Sequence, residues 1–79
     1  MRVEVLLPQW GMGMGEGTIT NWLKAVGDTV TEDEPIAEVA AEKVEEELLA
    51  PATGTITEII VAAGETVEVR TLVAIIEAD

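Results

Sequence analysis

The residues in this chain that could do chemistry are few. There is no cysteine and no histidine. That removes disulfides, thiolate ligands and thiol catalysis, along with the usual general base at neutral pH and the commonest metal ligand. No threonine has a base beside it, so no activated nucleophile is assembled. Glu32-Asp33-Glu34 lacks the alternating oxygen ligands and fixed glycine of a calcium loop; three consecutive acids point different ways and read as a solvated turn. Gly11, Gly13, Gly15 and Gly17 invite a dinucleotide reading, but a strand-like Thr18-Ile19-Thr20 follows them where a helix must open. What remains is two lysine amines, Lys24 and Lys43. Lys43 stands between the strand-like runs Ile36–Ala40 and Glu45–Leu49, in a connection short enough for a tight hairpin turn. Such a turn would project its amine into water at the end of a rigid body. A turn lysine is ordinarily a solubilising charge, so its surroundings must decide.

Those surroundings are an internal duplication. Residues 17–40 repeat as residues 54–77 at a constant offset of 37, with nine identities over 24 positions and no gap. Gly17-Thr18-Ile19-Thr20 returns as Gly54-Thr55-Ile56-Thr57, and Gly27-Asp28-Thr29-Val30 returns as Gly64-Glu65-Thr66-Val67. Two copies fall short of a stacked array, so the repeat predicts a single compact domain over residues 1–79 with a pseudo-two-fold axis. Lys43 lies at the junction of the copies, and Lys24 aligns with Val61 inside a strand-like run, where it reads as a surface charge.

Composition narrows the class further. At 79 residues the chain is near the lower limit for folding unaided. Its net charge of −12 disfavours nucleic acid and anionic lipid and favours solubility and basic partners. No apolar run reaches the roughly 20 residues that span a bilayer, and Met1–Glu4 meets Pro8 too soon for a signal peptide. A soluble intracellular domain poorly equipped to be an enzyme is expected.

Seventeen valines and isoleucines against six leucines, with nine threonines, favour strands. Alternation or short apolar runs mark Val3–Leu7, Thr18–Leu23, Ile36–Ala40, Glu45–Leu49, Ile56–Val61 and Leu72–Ile76. Short strands at Thr29-Val30 and Val67–Val69 follow the turns Gly27-Asp28 and Gly64-Glu65. The fold class is therefore all-β, with about eight strands in two four-stranded antiparallel sheets packed face to face as a sandwich. A helix over Val39–Ala50 is set aside because Glu47-Leu48-Leu49 matches Glu4–Leu7.

The halves differ in one place. Pro8 precedes Gly17 by nine positions, whereas Pro51 precedes Gly54 by three. The first half therefore carries six extra residues, Gln9-Trp10-Gly11-Met12-Gly13-Met14. A loop added to a symmetric scaffold is a contact surface in waiting. Trp10 reads equally as a contact or as a plug for the core, while Met12 and Met14, spaced by glycines, lean towards exposure.

At this point the chain resembles a known family, the lipoyl domains of 2-oxo acid dehydrogenase acyltransferase subunits. Pro8-Gln9-Trp10-Gly11, Glu16-Gly17-Thr18-Ile19, Trp22-Leu23 and Val26–Val30 are similar to that family's first half. Glu38-Val39, Glu42-Lys43-Val44 and Ala50-Pro51-Ala52-Thr53-Gly54 are similar to its modification hairpin and the strand beyond. The resemblance implies that the sandwich is a flattened barrel of two sheets, with lipoate held covalently, as an amide on Lys43 at a hairpin tip. Glu42 and Val44 would then flank the modified residue. Residues 9–15, with Trp10, Gly11, Met12, Gly13 and Met14, would help the partner enzyme recognise it. The implied partners are a thiamine-dependent dehydrogenase (E1), the acyltransferase domain (E2), dihydrolipoamide dehydrogenase (E3), and a lipoate ligase or lipoyl transferase. The implied compartment is the bacterial cytoplasm or the mitochondrial matrix, and the isolated domain is expected to be monomeric. Its ending at Ala78-Asp79, after the last expected strand, fits a piece of a longer acyltransferase.

The sequence departs from the family beside the lysine, where Ala40-Ala41-Glu42 stand in place of Glu-Thr-Asp; Glu42 keeps the negative charge. Biotin-carrying relatives flank their lysine with methionines, which Glu42 and Val44 do not match. A biotin carrier and an unmodified two-sheet interaction module stay open as alternatives.

Overall fold

A computed structural model describes residues 1–41 and 44–78. Its eight strands are β1 (Arg2–Leu6), β2 (Glu16–Trp22), β3 (Thr29–Val30), β4 (Pro35–Ala41), β5 (Val44–Leu49), β6 (Gly54–Ile59), β7 (Thr66–Glu68) and β8 (Leu72–Ala78). All-β architecture in two antiparallel four-stranded sheets is thus what the sequence led us to expect. The order is β1-β8-β6-β3 in one sheet and β5-β4-β2-β7 in the other. Advancing every strand by four places, with β8 returning to β4, converts one sheet into the other. Each sheet takes two strands from each half of the repeat, so neither half can complete its ladders or its core alone. The body is flattened, 35 × 21 × 17 Å.

The pseudo-two-fold extends to backbone detail. Register shifts fall between Ile19 and Asn21 in β2 and between Ile56 and Glu58 in β6. Gly27 and Gly64 adopt φ of 97° and 95°, and Asp33 and Arg70 adopt 70° and 68°. The glycines accept this conformation freely; Asp33 and Arg70 are held there by backbone bonds to the other half. The Asp33 N–H donates to the Ala50 carbonyl at 2.8 Å and the Arg70 N–H to the Leu7 carbonyl at 2.6 Å. The turns also lock across the halves, with the Gly27 N–H on the Ile56 carbonyl and the Gly64 N–H on the Ile19 carbonyl.

Between the sheets, Ile19, Ile36, Val39, Ile56, Val73 and Ile76 are all 0% exposed, and they form three pairs 37 residues apart. Each fully buried aliphatic side chain of this kind contributes about 1.5–3 kcal/mol of transfer free energy. Trp22 closes one side of this core, its indole N–H donating to the Val61 carbonyl at 2.8 Å.

Two expectations from sequence become more specific here. Lys24 is a partner in an ion pair with Glu34, Nζ to Oε2 at 3.0 Å, with its side chain only 31% exposed. The Glu34 carboxylate also accepts the Thr31 N–H at 2.9 Å. Glu32-Asp33-Glu34 is therefore a solvated turn, with Glu32 and Asp33 exposed, that is also structured, because the Glu34 carboxylate closes the bend.

Candidate functional site

The connection that carries Lys43 is approached from β4 and β5. Their register runs Val39↔Glu46, Ala40↔Glu45 and Ala41↔Val44. Glu42 and Lys43, singled out from the sequence, lie outside the described residues. The strand pair on either side of them is regular to its last rung. Ala41 is buried at 3% exposure, whereas Val44 is 55% exposed.

Beside this rung sits the loop unique to the first half. β1 delivers the chain to Leu7, fully buried and bonded through its N–H to the Thr71 carbonyl at 3.0 Å. The chain then turns back through Gly11–Met14, with the Met14 N–H on the Gly11 carbonyl at 3.2 Å. Gly13 takes a φ of 84° in this turn, a conformation that costs a glycine little. The Gln9 side-chain amide donates to the Met14 carbonyl at 3.1 Å and ties the loop to itself. An open groove of about 580 Å³ has this loop, Trp10 to Met14, as one wall and Ala41, Val44 and Glu46 as the other.

The structure thus brings Trp10, Gly11, Met12, Gly13, Met14 and Val44 together. Trp10 is half-buried and packs against the core, as a plug would, and it also lines the groove. Met12 stands free at 102% exposure. Met14 differs from expectation. It is half-buried and packed on the core, because the Gly11–Met14 turn directs it inward over Gly17.

Glu46 was not singled out as a wall of this groove. It pairs with the buried Val39 and therefore faces inward, at the sheet edge. Alternation along Glu45-Glu46-Glu47 contained that signal, since the middle acid must face the opposite way from its neighbours. Lys24, by contrast, follows the end of β2 that pairs with Ala37, remote from the Ala41↔Val44 rung. Chemically, the described part of the site offers an exposed apolar surface beside a hairpin and an acidic strand. Among the described residues there is no group of three acids arranged to hold a metal ion.

Comparison with known proteins places this geometry. A family described as "Biotin-requiring enzyme", the biotin/lipoyl attachment family, matches residues 3–76. The chain is 49% identical over 71 residues to the dihydrolipoyllysine-residue acetyltransferase component of the pyruvate dehydrogenase complex of Corynebacterium glutamicum. That match covers 90% of this chain and 10% of the relative. It is 41% identical over 80 residues to the pyruvate dehydrogenase E1 component subunit beta of Rhizobium meliloti, covering 100% of this chain and 17% of that one. The chain therefore spans less than a fifth of the length of these relatives. The solved lipoyl domain of the 2-oxoglutarate dehydrogenase complex from Azotobacter vinelandii superposes with a TM-score of 0.76 at 32% identity, covering 98% of this chain and 99% of that domain. The chain belongs to the biotin/lipoyl attachment family, and within it to the lipoyl domains of 2-oxo acid dehydrogenase complexes.

Proposed function

We propose that this domain is a swinging-arm carrier, lipoylated on the Lys43 amine and visited in turn by the active sites of a 2-oxo acid or acetoin dehydrogenase complex. The observation that supports this most is the Ala41↔Val44 rung. It leaves only Glu42-Lys43 in sequence between two paired strands, the length of a two-residue hairpin loop. The residues around it suit the group: Val44 and Met12 are exposed and apolar, matching an aliphatic arm and a dithiolane, and the six-residue loop is the scaffold's one large departure from symmetry.

When attached, lipoate supplies the acyl acceptor and the dithiol–disulfide couple. The chain's own part is to present and to be recognised. Paired β4 and β5 hold the attachment point on a rigid body. Glu42 and Val44 identify it to the lipoate ligase or lipoyl transferase. The Trp10–Met14 wall identifies the loaded domain to the thiamine-dependent dehydrogenase. The acyltransferase domain and dihydrolipoamide dehydrogenase would then complete the cycle. Tethering within one assembly raises the effective concentration of the arm at each site. The relative that bears this domain on a dehydrogenase beta subunit supports pairing with that enzyme.

Intact mass after incubation with lipoate, ATP and a lipoate ligase tests the assignment. One lipoyl adduct is expected on the parent and on Lys24→Arg, and none on Lys43→Arg. An adduct that survives Lys43→Arg and disappears in Lys24→Arg would move the site. Failure of lipoate, with one adduct from biotin and a biotin ligase, would make the domain a biotin carrier. Failure of both would leave an interaction module.

A further inference from the structure

One side chain on the groove wall combines full exposure with a chemistry of its own. Met12 is 102% exposed, set out at the tip of the Gly11–Met14 turn. That turn is fixed by the Met14 N–H on Gly11 and by the Gln9 amide on Met14. The same bonds that bury Met14 keep Met12 in water, across from exposed Val44. Met1, also exposed at 80%, lies beside Ala78, beyond the other end of the strands. Thioether oxidation follows access, so the methionines should react unequally, and Met12 is the one standing on the groove wall.

We propose that Met12 is an oxidation-sensitive modification site. Its conversion to the sulfoxide by a peroxide weakens docking of the thiamine-dependent dehydrogenase on this wall while leaving lipoylation and fold intact. The proposal rests on the carrier reading above. The sulfur lone pair attacks one oxygen of hydrogen peroxide; an S–O bond forms, the O–O bond breaks, and the second oxygen leaves as water after proton transfer. Sulfur loses two electrons and peroxide gains two. The product carries a strong dipole and an acceptor oxygen where the thioether was apolar and adaptable. Burying that oxygen against a partner without a donor is costly. Lipoylation is expected to be spared because its recognition is assigned to Val44, on the opposite wall, and to Glu42, next to Lys43 in sequence.

The test uses the unlipoylated domain, so that no dithiolane competes for oxidant. It is treated with limiting hydrogen peroxide, quenched with catalase, mapped by peptide mass, then lipoylated and assayed. The assay is reductive acylation by a pyruvate dehydrogenase component that acylates the untreated domain. Met12 is expected to oxidise before Met14, with the thermal melt and lipoylation rate unchanged. KM for the domain should then rise about five-fold or more. Methionine sulfoxide reductase with a dithiol should restore it. In Met12→Leu, KM should not respond to peroxide even though Met1 still oxidises. Oxidation of Met14 first, or an unchanged KM at full Met12 oxidation in a domain where Met12→Ala raises KM, overturns the proposal. No response to either sulfoxide or Met12→Ala would remove Met12 from recognition and overturn the proposal as well. Absence of lipoylation in the untreated domain would instead strike the carrier reading.

Discussion

The pseudo-two-fold gives the molecule two ends built on one plan, and they have diverged. At one, β4 and β5 run to the Ala41↔Val44 rung. At the other, β8 and β1 occupy the equivalent places and meet at Ala78 and Met1. There the Ala78 N–H bonds the Met1 carbonyl at 2.7 Å, and the Met1 ammonium reaches the Ala78 carbonyl and Glu77, each at 2.7 Å. From Pro8 to Gly17, the link at the first end is six residues longer than its counterpart from Pro51 to Gly54 at the second. It forms a groove wall, whereas the short link merely lends Thr53 Oγ to the Glu32 N–H at 2.9 Å. One scaffold thus serves both ends, and what gives one of them a groove is an insertion of six residues, not a different fold.

Gly17 and Gly54 measure that divergence directly. Gly54 pairs with Ala78, and a Cβ placed on it would run into the Glu77 carbonyl oxygen and the Ala78 Cα. Those are backbone atoms that cannot move aside. The same Cβ on Gly17 would meet side chains: Val39 Cγ1 at 3.0 Å, and Leu7 Cδ2 and Met14 Cε at 3.4 Å. Side chains can give by a few tenths of an ångström. Gly54→Ala is therefore expected to cost about 3 kcal/mol in urea unfolding, and Gly17→Ala about 1 kcal/mol. Equal losses would mean that the two ends are equally tight and that Met14 does not cushion the first.

Sequence reading recovered the scaffold because the repeat, the β-branched residues and the turn glycines all act locally and point the same way. The interlocking of the sheets was less accessible, since strand order is decided by long-range pairing that alternation does not encode. Met14 was misread for a related reason. Glycine spacing describes the freedom of a loop, while the backbone bond from Met14 to Gly11 decides which methionine turns inward. Lys24 and Glu34 meet only after folding brings the end of β2 to the start of β4, and ten residues of separation gave no sign of it. Glu46 was legible in principle from alternation. Trp10 was left between two readings because one side chain both packs on the core and lines the groove.

The loop offers the next test of the comparison. Replacing Trp10-Gly11-Met12-Gly13-Met14 with a short glycine linker makes the first end resemble the second. Reductive acylation is expected to fall about ten-fold, the equivalent of roughly 1.4 kcal/mol of docking, with lipoylation reduced far less. Equal losses in both would mean that the loop only supports the fold.

The smallest effect lies at the second end, where the halves differ by an ion pair. Glu34 and Lys24 align with Thr71 and Val61, so the second half lacks both partners. The Thr31 N–H bonded to the Glu34 carboxylate, and then the Lys24 ammonium, hold its pKa below the usual 4.5. The unfolded chain therefore binds more protons than the folded one between these two values, and stability rises with pH through that interval. The contribution is fully present above about 4.5 and is lost as pH falls through the lowered value. Glu34→Gln should accordingly melt below the parent at pH 7, and the gap should close as the buffer is taken well below pH 4.5. Because the backbone bond is the larger cause, Lys24→Gln should retain most of the pH dependence that Glu34→Gln abolishes. If Lys24→Gln flattened the acid limb as much as Glu34→Gln, the ion pair rather than the turn would be what ties the first half closed at this end.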